Sequence, residues 1–143
     1  MEKEFIPYEQ ALCLKELGFE EKCLLTISWT NDKDYITGVP YEPSAYICGE
    51  TKIKYDFSKL KENHKGGYGF EMSVPLYQQA FRWFRKKHKL QAEILWRGDM
   101  GCFCYKTGKF KYGSHDFSKE DFKTYEEAEL ECLKALIKIS KDI

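Results

Sequence analysis

Five cations lie close together between positions 82 and 89 of this sequence, and they are its strongest candidates for binding chemistry. They occur in the stretch VPLYQQAFRWFRKKHKL, which runs from Val74 to Leu90. Guanidinium and ammonium groups at this density bind phosphates and other anions. Cations at the end of a helix also stabilise its unpaired carbonyl groups, by about 0.3–1 kcal/mol each, which is a structural explanation for the same residues. The five are Arg82, Arg85, Lys86, Lys87 and Lys89.

Aromatic residues alternate with these cations, and either Tyr77 or Trp83 is a candidate for stacking on a nucleic-acid base. The overall charge does not favour nucleic acid as the partner. The chain has 23 basic and 23 acidic residues, whereas domains that bind phosphate backbones are usually basic as a whole. Nucleic-acid contact through the end of this helix is therefore an alternative. The aromatic residues are equally well explained as part of the hydrophobic core.

Trp96 and Arg97 end a strand-like segment just before a glycine-containing turn. Such a position holds a recognition side chain on a rigid support, although a tryptophan in a strand is more commonly part of the core. If the partner is an anion, we expect four residues to contact it: Arg82, Arg85, Lys86 and Arg97.

The cysteines and histidines do not form a pattern typical of a metal site or a disulfide framework. None of the six cysteines belongs to a CxxC motif, and the three histidines lie far from any cysteine pair. Cys102 and Cys104 share one face of a predicted strand, but a tetrahedral site needs two more ligands. We therefore expect no metal and no cofactor.

Catalysis has little support in the sequence. His64 lies in a polar loop, and His115 is followed directly by Asp116, but neither accompanies a nucleophile motif such as GxSxG. The sequence therefore predicts a protein that is not an enzyme. A small enzyme built around His64 or His115 is the remaining alternative.

Three amphipathic segments predict helices. The first spans Pro7–Leu17, with Pro7 at its start and Gly18 after its end. The second spans Val74–Leu90, with Ser73 as its cap. The third runs from the capping box Thr124–Glu127 to about Ser140.

Between the helices, alternating apolar residues predict short strands, while residues 31–70 are the least clearly patterned part. Because each helix has one apolar side to bury, the pattern predicts an α+β fold: a small, mainly antiparallel sheet with three amphipathic helices packed on one face. A length of 143 residues fits one globular domain, residues 1–143. The predicted strands are Cys23–Trp29, Tyr46–Cys48, Lys52–Phe57, Gln91–Arg97, Cys102–Lys106 and Phe110–Tyr112.

Charge is distributed unevenly along the chain. Residues 1–50 have 4 basic and 10 acidic residues, residues 51–115 have 14 and 5, and residues 116–143 have 5 and 8. The net charges are therefore −6, +9 and −3. The basic middle either forms a positive face for an anionic partner or is neutralised by the acidic ends on folding.

The start of the chain, MEKEFIPYEQ, has no apolar segment typical of a secretory signal, and no run of 18 apolar residues occurs. We expect a cytoplasmic protein that is not associated with a membrane and is either a monomer or a homodimer.

Three segments of the sequence resemble a group of small uncharacterised proteins from gut Bacteroidota and their phages and prophages. The segments are IPYEQALCLKELGF, VPLYQQAFRWFRKKH and FKTYEEAELECLKALIKI, which cover the three predicted helices. The resemblance implies a cytoplasmic accessory protein of phage or mobile-element origin, and it implies no activity. We therefore predict a non-enzymatic binding protein of phage or prophage type that engages a protein or a small anionic molecule.

Overall fold

A computed structural model describes residues 2–29, 36–37, 43–57, 70–109 and 115–142. The chain forms two compact units, Met1–Leu76 and Tyr77–Ile143. Both combine helices with antiparallel strands, so the predicted α+β class is confirmed. A single domain over residues 1–143 stays a prediction.

The described strands form two sheets, of four and three strands, rather than the one sheet that we expected. Alternating apolar residues show where a strand lies, but not which strand it pairs with, because pairing depends on contacts distant in sequence. One of the three helices belongs to the first unit, and the other two belong to the second.

The first unit contains one α-helix and a four-stranded sheet in the order β3-β2-β1-β4. Every neighbouring pair in this sheet is antiparallel. A short 3-10 turn, Glu2–Glu4, precedes the helix. The elements are α1 (Tyr8–Glu16), β1 (Leu25–Trp29), β2 (Ser44–Ile47), β3 (Thr51–Ile53) and β4 (Phe70–Val74).

One face of this sheet is buried because its apolar residues coincide in register. Ile27 of β1 lies opposite Ala45 of β2 and opposite Met72 of β4, and Leu25 lies opposite Val74. All five side chains are buried. They form the core of the first unit together with residues of α1.

Helix α1 begins and ends close to the predicted positions, with Pro7 as its N-cap and Leu17 as its C-cap. Gly18 follows with φ +96°, a conformation that glycine adopts without strain. The buried residues of the helix are Tyr8, Gln10, Ala11 and Leu14, whereas Cys13 and Leu17 are only partly buried.

The second unit contains two α-helices and a three-stranded antiparallel sheet in the order β5-β6-β7. The predicted strands Gln91–Arg97 and Cys102–Lys106 are confirmed and pair as a hairpin, with a turn in which Gly101 has φ +65°. The predicted strand Phe110–Tyr112 lies outside the described residues. The elements are α2 (Tyr77–Trp83), a π-helical turn (Phe84–His88), β5 (Leu90–Arg97), β6 (Cys102–Lys109), β7 (His115–Phe117) and α3 (Tyr125–Lys141).

The predicted helix Val74–Leu90 is shorter than expected at both ends. Ser73 and Val74 belong to strand β4, where they pair with Thr26 and Leu25, so the predicted role of Ser73 as a helix cap is wrong. The pairing of β4 with β1 buries Val74 completely, and this long-range contact outweighs the local capping pattern.

Helix α3 confirms its predicted start. The Thr124 hydroxyl oxygen accepts a hydrogen bond of 3.1 Å from the Glu127 N–H, which is the bond expected of an N-cap. The buried stripe of the helix lies against β5 and β6 and consists of Ala128, Cys132, Leu133, Leu136, Ile137 and Ser140. Among the described residues, no helix combines the length and apolar character needed to cross a bilayer.

Candidate functional site

The cationic end of the second predicted helix forms a π-helical turn, Phe84–His88. The Lys89 N–H donates a hydrogen bond to the Phe84 carbonyl, five residues earlier, which closes the wider π-helical ring. Lys89 itself has φ +56° and ψ +34°, in the left-handed region, so the chain reverses here and enters β5. Single π-helical turns occur frequently at functional sites.

Three aromatic rings hold this turn in place. Trp83 and Phe84 are buried, and their ring centroids lie 5.0 Å apart. The His88 imidazole packs against both rings, with centroid distances of 4.9 Å to Trp83 and 5.7 Å to Phe84. The nucleic-acid alternative assumed that Tyr77 or Trp83 stacks on a base. Both rings are buried in the structure, so neither is accessible to a base.

The cations of the turn point into solvent while the rings point inward. We use the name basic turn for five residues, all of which are exposed. No ion pair joins any of them to a carboxylate within the part of the chain that the structure describes. The basic turn consists of Arg82, Arg85, Lys86, Lys87 and Lys89.

Of the four predicted anion-binding residues, the structure brings three together. Arg85 and Lys86 follow Arg82 at spacings of three and four residues, which places them on the same side of the helix. Arg97 lies at the opposite end of β5 from the basic turn. Its guanidinium pairs with the Asp121 carboxylate at 3.3 Å. Since a strand rises about 3.3 Å per residue, roughly 23 Å separates the two ends of β5, and Arg97 does not contribute to the same site.

A second surface lies at that far end of β5. Trp96 was expected in the core, but 58% of it is exposed. Its indole contacts Phe103, its partner across the β5–β6 pair, with a centroid distance of 4.7 Å. Phe103 in turn meets Tyr125, the first residue of α3, edge to face at 5.9 Å. We call these three residues, Trp96, Phe103 and Tyr125, the aromatic surface.

A groove of about 620 Å³ lies between α3 and the β6–β7 edge of the same unit. The Tyr105 and Phe122 rings stack in its lining, with centroids 6.1 Å apart and planes 17° from parallel. Its volume is in the range of small-molecule sites. Its charged groups nearly cancel and therefore select no class of ligand: Asp116, Glu120, Glu131 and Asp142 against Lys119, Lys134 and Lys138.

The structure describes only some of the residues that were considered for metal binding and catalysis. His64 and the side chain of His115 lie outside the described part, so the catalytic alternative stays a prediction. The described residues contain no group of three or more possible metal ligands. None of the six cysteines, all of which the structure describes, forms a disulfide bond. Burial, and then the nearby Asp121, raise the pKa of the Cys102 thiol, which therefore lacks the activated thiolate of a nucleophilic cysteine.

The fold and these surfaces define an α+β protein with an exposed basic turn and an exposed aromatic surface. The chain matches no protein-family model, and neither a curated protein nor a solved structure is significantly similar to it. The resemblance to proteins of Bacteroidota and their phages therefore stays a prediction.

Proposed function

We propose that this chain is a non-enzymatic binding protein that holds an anionic partner on the basic turn. The observation that supports the proposal is the set of five exposed cations on and directly beside one π-helical turn, which is anchored from within by Trp83 and Phe84. The partner is either an acidic region of a protein or a small anionic molecule. In line with the sequence resemblance, we place this role in the cytoplasm, as an accessory function of phage or prophage type.

The electrostatics of the turn favour a binding role over a purely structural one. Like charges three or four residues apart on a helix repel each other, at a cost of about 0.2–0.5 kcal/mol for each pair. Arg82, Arg85 and Lys86 have this spacing. Favourable interaction with the helix dipole is limited to the last turn, and Arg82 lies before the π-helical turn begins. A bound anion would offset the repulsion among all of these groups at once.

The test compares two triple variants that lose the same charge. R82A/R85A/K86A removes three cations of the basic turn, and K52A/K54A/K119A removes three exposed lysines elsewhere. The probes are tripolyphosphate for a small anion and an oligo-glutamate peptide for an acidic protein segment, with binding measured by calorimetry. We expect the first variant to lose at least tenfold in affinity for one of the two probes, and the second to lose less than twofold. Equal losses would contradict the proposal.

Two further measurements separate the alternatives. R97A should retain wild-type affinity, because Arg97 is paired with Asp121 and lies at the other end of β5. A DNA or RNA oligonucleotide that binds more tightly than both probes, with an affinity that falls steeply with salt, would instead identify a nucleic-acid contact protein.

A further inference from the structure

The aromatic surface combines features that distinguish a binding surface from scattered exposed residues. Trp96 and Tyr125 are 58% and 46% exposed, and Phe103 contacts both rings. Tryptophan and tyrosine contribute most to the binding energy of many protein interfaces. These residues belong to a strand pair and to the first turn of a helix, so the surface is built on regular secondary structure.

The indole of Trp96 is also held in a defined position. It meets the Phe103 ring. Its Nε1–Cδ1 edge also lies close to Gly98, where an added Cβ atom would come within 3.2 Å of the indole nitrogen. An aromatic group that is already positioned loses little entropy when a partner binds.

The charges around these rings are predominantly negative. Glu126 is next to Tyr125 in sequence, and Glu129 lies one helical turn further on. Burial raises the pKa of the Tyr125 hydroxyl, and the charges of Glu129 and Glu126 raise it further. Asp99 adds a third carboxylate from the turn after β5. Lys123 is a cation close to the start of α3, whereas Arg97 is already paired with Asp121. Within the part of the chain that the structure describes, the charges of this region that belong to no ion pair thus favour a cation over an anion.

We infer that the aromatic surface binds a basic segment of a partner protein, with an arginine or lysine side chain stacked on Trp96. The faces of aromatic rings carry negative potential and attract guanidinium and ammonium groups. The rings form a row with steps of 4.7 and 5.9 Å, which accommodates more than one residue of an extended chain rising about 3.3 Å per residue. This surface contains no residue of the basic turn, so the inference is independent of the function proposed above.

The first test uses a labelled oligo-arginine peptide as the probe and fluorescence anisotropy as the measurement. We expect W96A to weaken its binding by about three- to thirtyfold, and W96F to retain an intermediate affinity. The control is F117A, which removes another exposed ring of the same unit, 63% exposed; it should change the affinity less than twofold. Losses of equal size in W96A and F117A, or no loss in W96A, would overturn the inference.

The second test addresses charge. At pH 8, where Glu129 is ionised, E126Q/E129Q should weaken oligo-arginine binding at least threefold, whereas E9Q/E16Q, which removes two exposed carboxylates of α1, should leave it unchanged. Binding of an oligo-glutamate peptide that depends on Trp96 would overturn the assignment of a basic partner. Light scattering provides the last check: self-association that W96A abolishes would identify a second copy of this chain as the occupant instead.

Discussion

The His88 imidazole packs edge-on against the Trp83 indole, with the ring centroids 4.9 Å apart and the planes inclined at 70°. The imidazole is partly buried, and its Nε2 atom has no hydrogen-bond partner within the described part of the chain. Burial, and then the neighbouring Lys87, lower the pKa of His88 below its ordinary value of 6.5. The folded state therefore prefers the neutral imidazole.

This preference makes stability depend on pH. Between pH 6.5 and the lower pKa of the folded state, the unfolded chain binds more protons at His88, so the free energy of unfolding falls as the pH falls. We predict that the free energy of unfolding of H88F, relative to the wild type, rises as the pH falls from 7 to 5, because phenylalanine keeps the ring contacts without a titrating nitrogen. Urea denaturation at several pH values measures this effect.

The control for the histidine experiment is a pair of single variants, H64N and H115N, measured in the same buffers. They show how much of the remaining pH dependence comes from the other two histidines. A wild-type slope in H88F would mean that the imidazole titrates normally in the folded protein.

Glu129 makes the free energy of unfolding depend on pH in the opposite direction to His88. Burial, and then repulsion from Glu126, raise its pKa from 4.5 to about 7. The folded state therefore binds more protons than the unfolded state between these values, and the free energy of unfolding falls as the pH rises through this range. Above pH 7 the destabilisation is complete.

We predict that E129Q stabilises the protein at pH 8 and has little effect at pH 5. The gain should be about 1 kcal/mol, after allowing for the screening of a carboxylate that is only partly buried. Urea denaturation at the two pH values measures it, with E16Q on the exposed side of α1 as the control. A gain of equal size at both pH values would show that the carboxylate is already ionised at pH 5.

The elements that could be predicted from the sequence are those specified by neighbouring residues. The β5–β6 hairpin follows from a glycine-containing turn between two apolar segments, and α3 begins where the Thr124 hydroxyl accepts the Glu127 N–H. Both signals lie within a few residues of the structure that they determine.

The start of the second helix could not be predicted in this way. The sequence Ser73-Val74-Pro75 fits a helix cap, but it also fits the end of a strand, and only the pairing of Val74 with Leu25 decides between them. Strand residues that pair across nearly fifty positions of the chain leave no pattern in the sequence around either of them. The same limitation explains why two sheets were not foreseen.

The candidate site was also only partly predictable. The density of cations identified the basic turn, but not the π-helical geometry or the separation of Arg97 from the other three residues. Trp96 lies on the same strand face as the buried Leu90, and exposure along that face increases through Ala92 and Ile94 to Trp96. The alternation of apolar and polar residues specifies which face of a strand is buried. It does not specify how far along the strand other elements cover that face.

Lys89 carries backbone strain that a substitution can relieve. Its φ of +56° lies in the left-handed region, which costs an ordinary residue about 1–2 kcal/mol and glycine much less. Glycine also makes the unfolded chain more flexible, which cancels part of the gain. We therefore predict that K89G raises the free energy of unfolding by about 0.5–1 kcal/mol, as measured by urea denaturation.

The matched control is K87G, because it removes the same charge from the same turn. Lys87 lies within the π-helical turn and has no positive φ, so glycine gains nothing there and should destabilise the protein by about 0.5–1 kcal/mol. The two variants thus separate the backbone effect from the loss of a cation. If both changed stability by the same amount and in the same direction, the left-handed conformation of Lys89 would not be a source of strain, and the reversal into β5 would need no special residue.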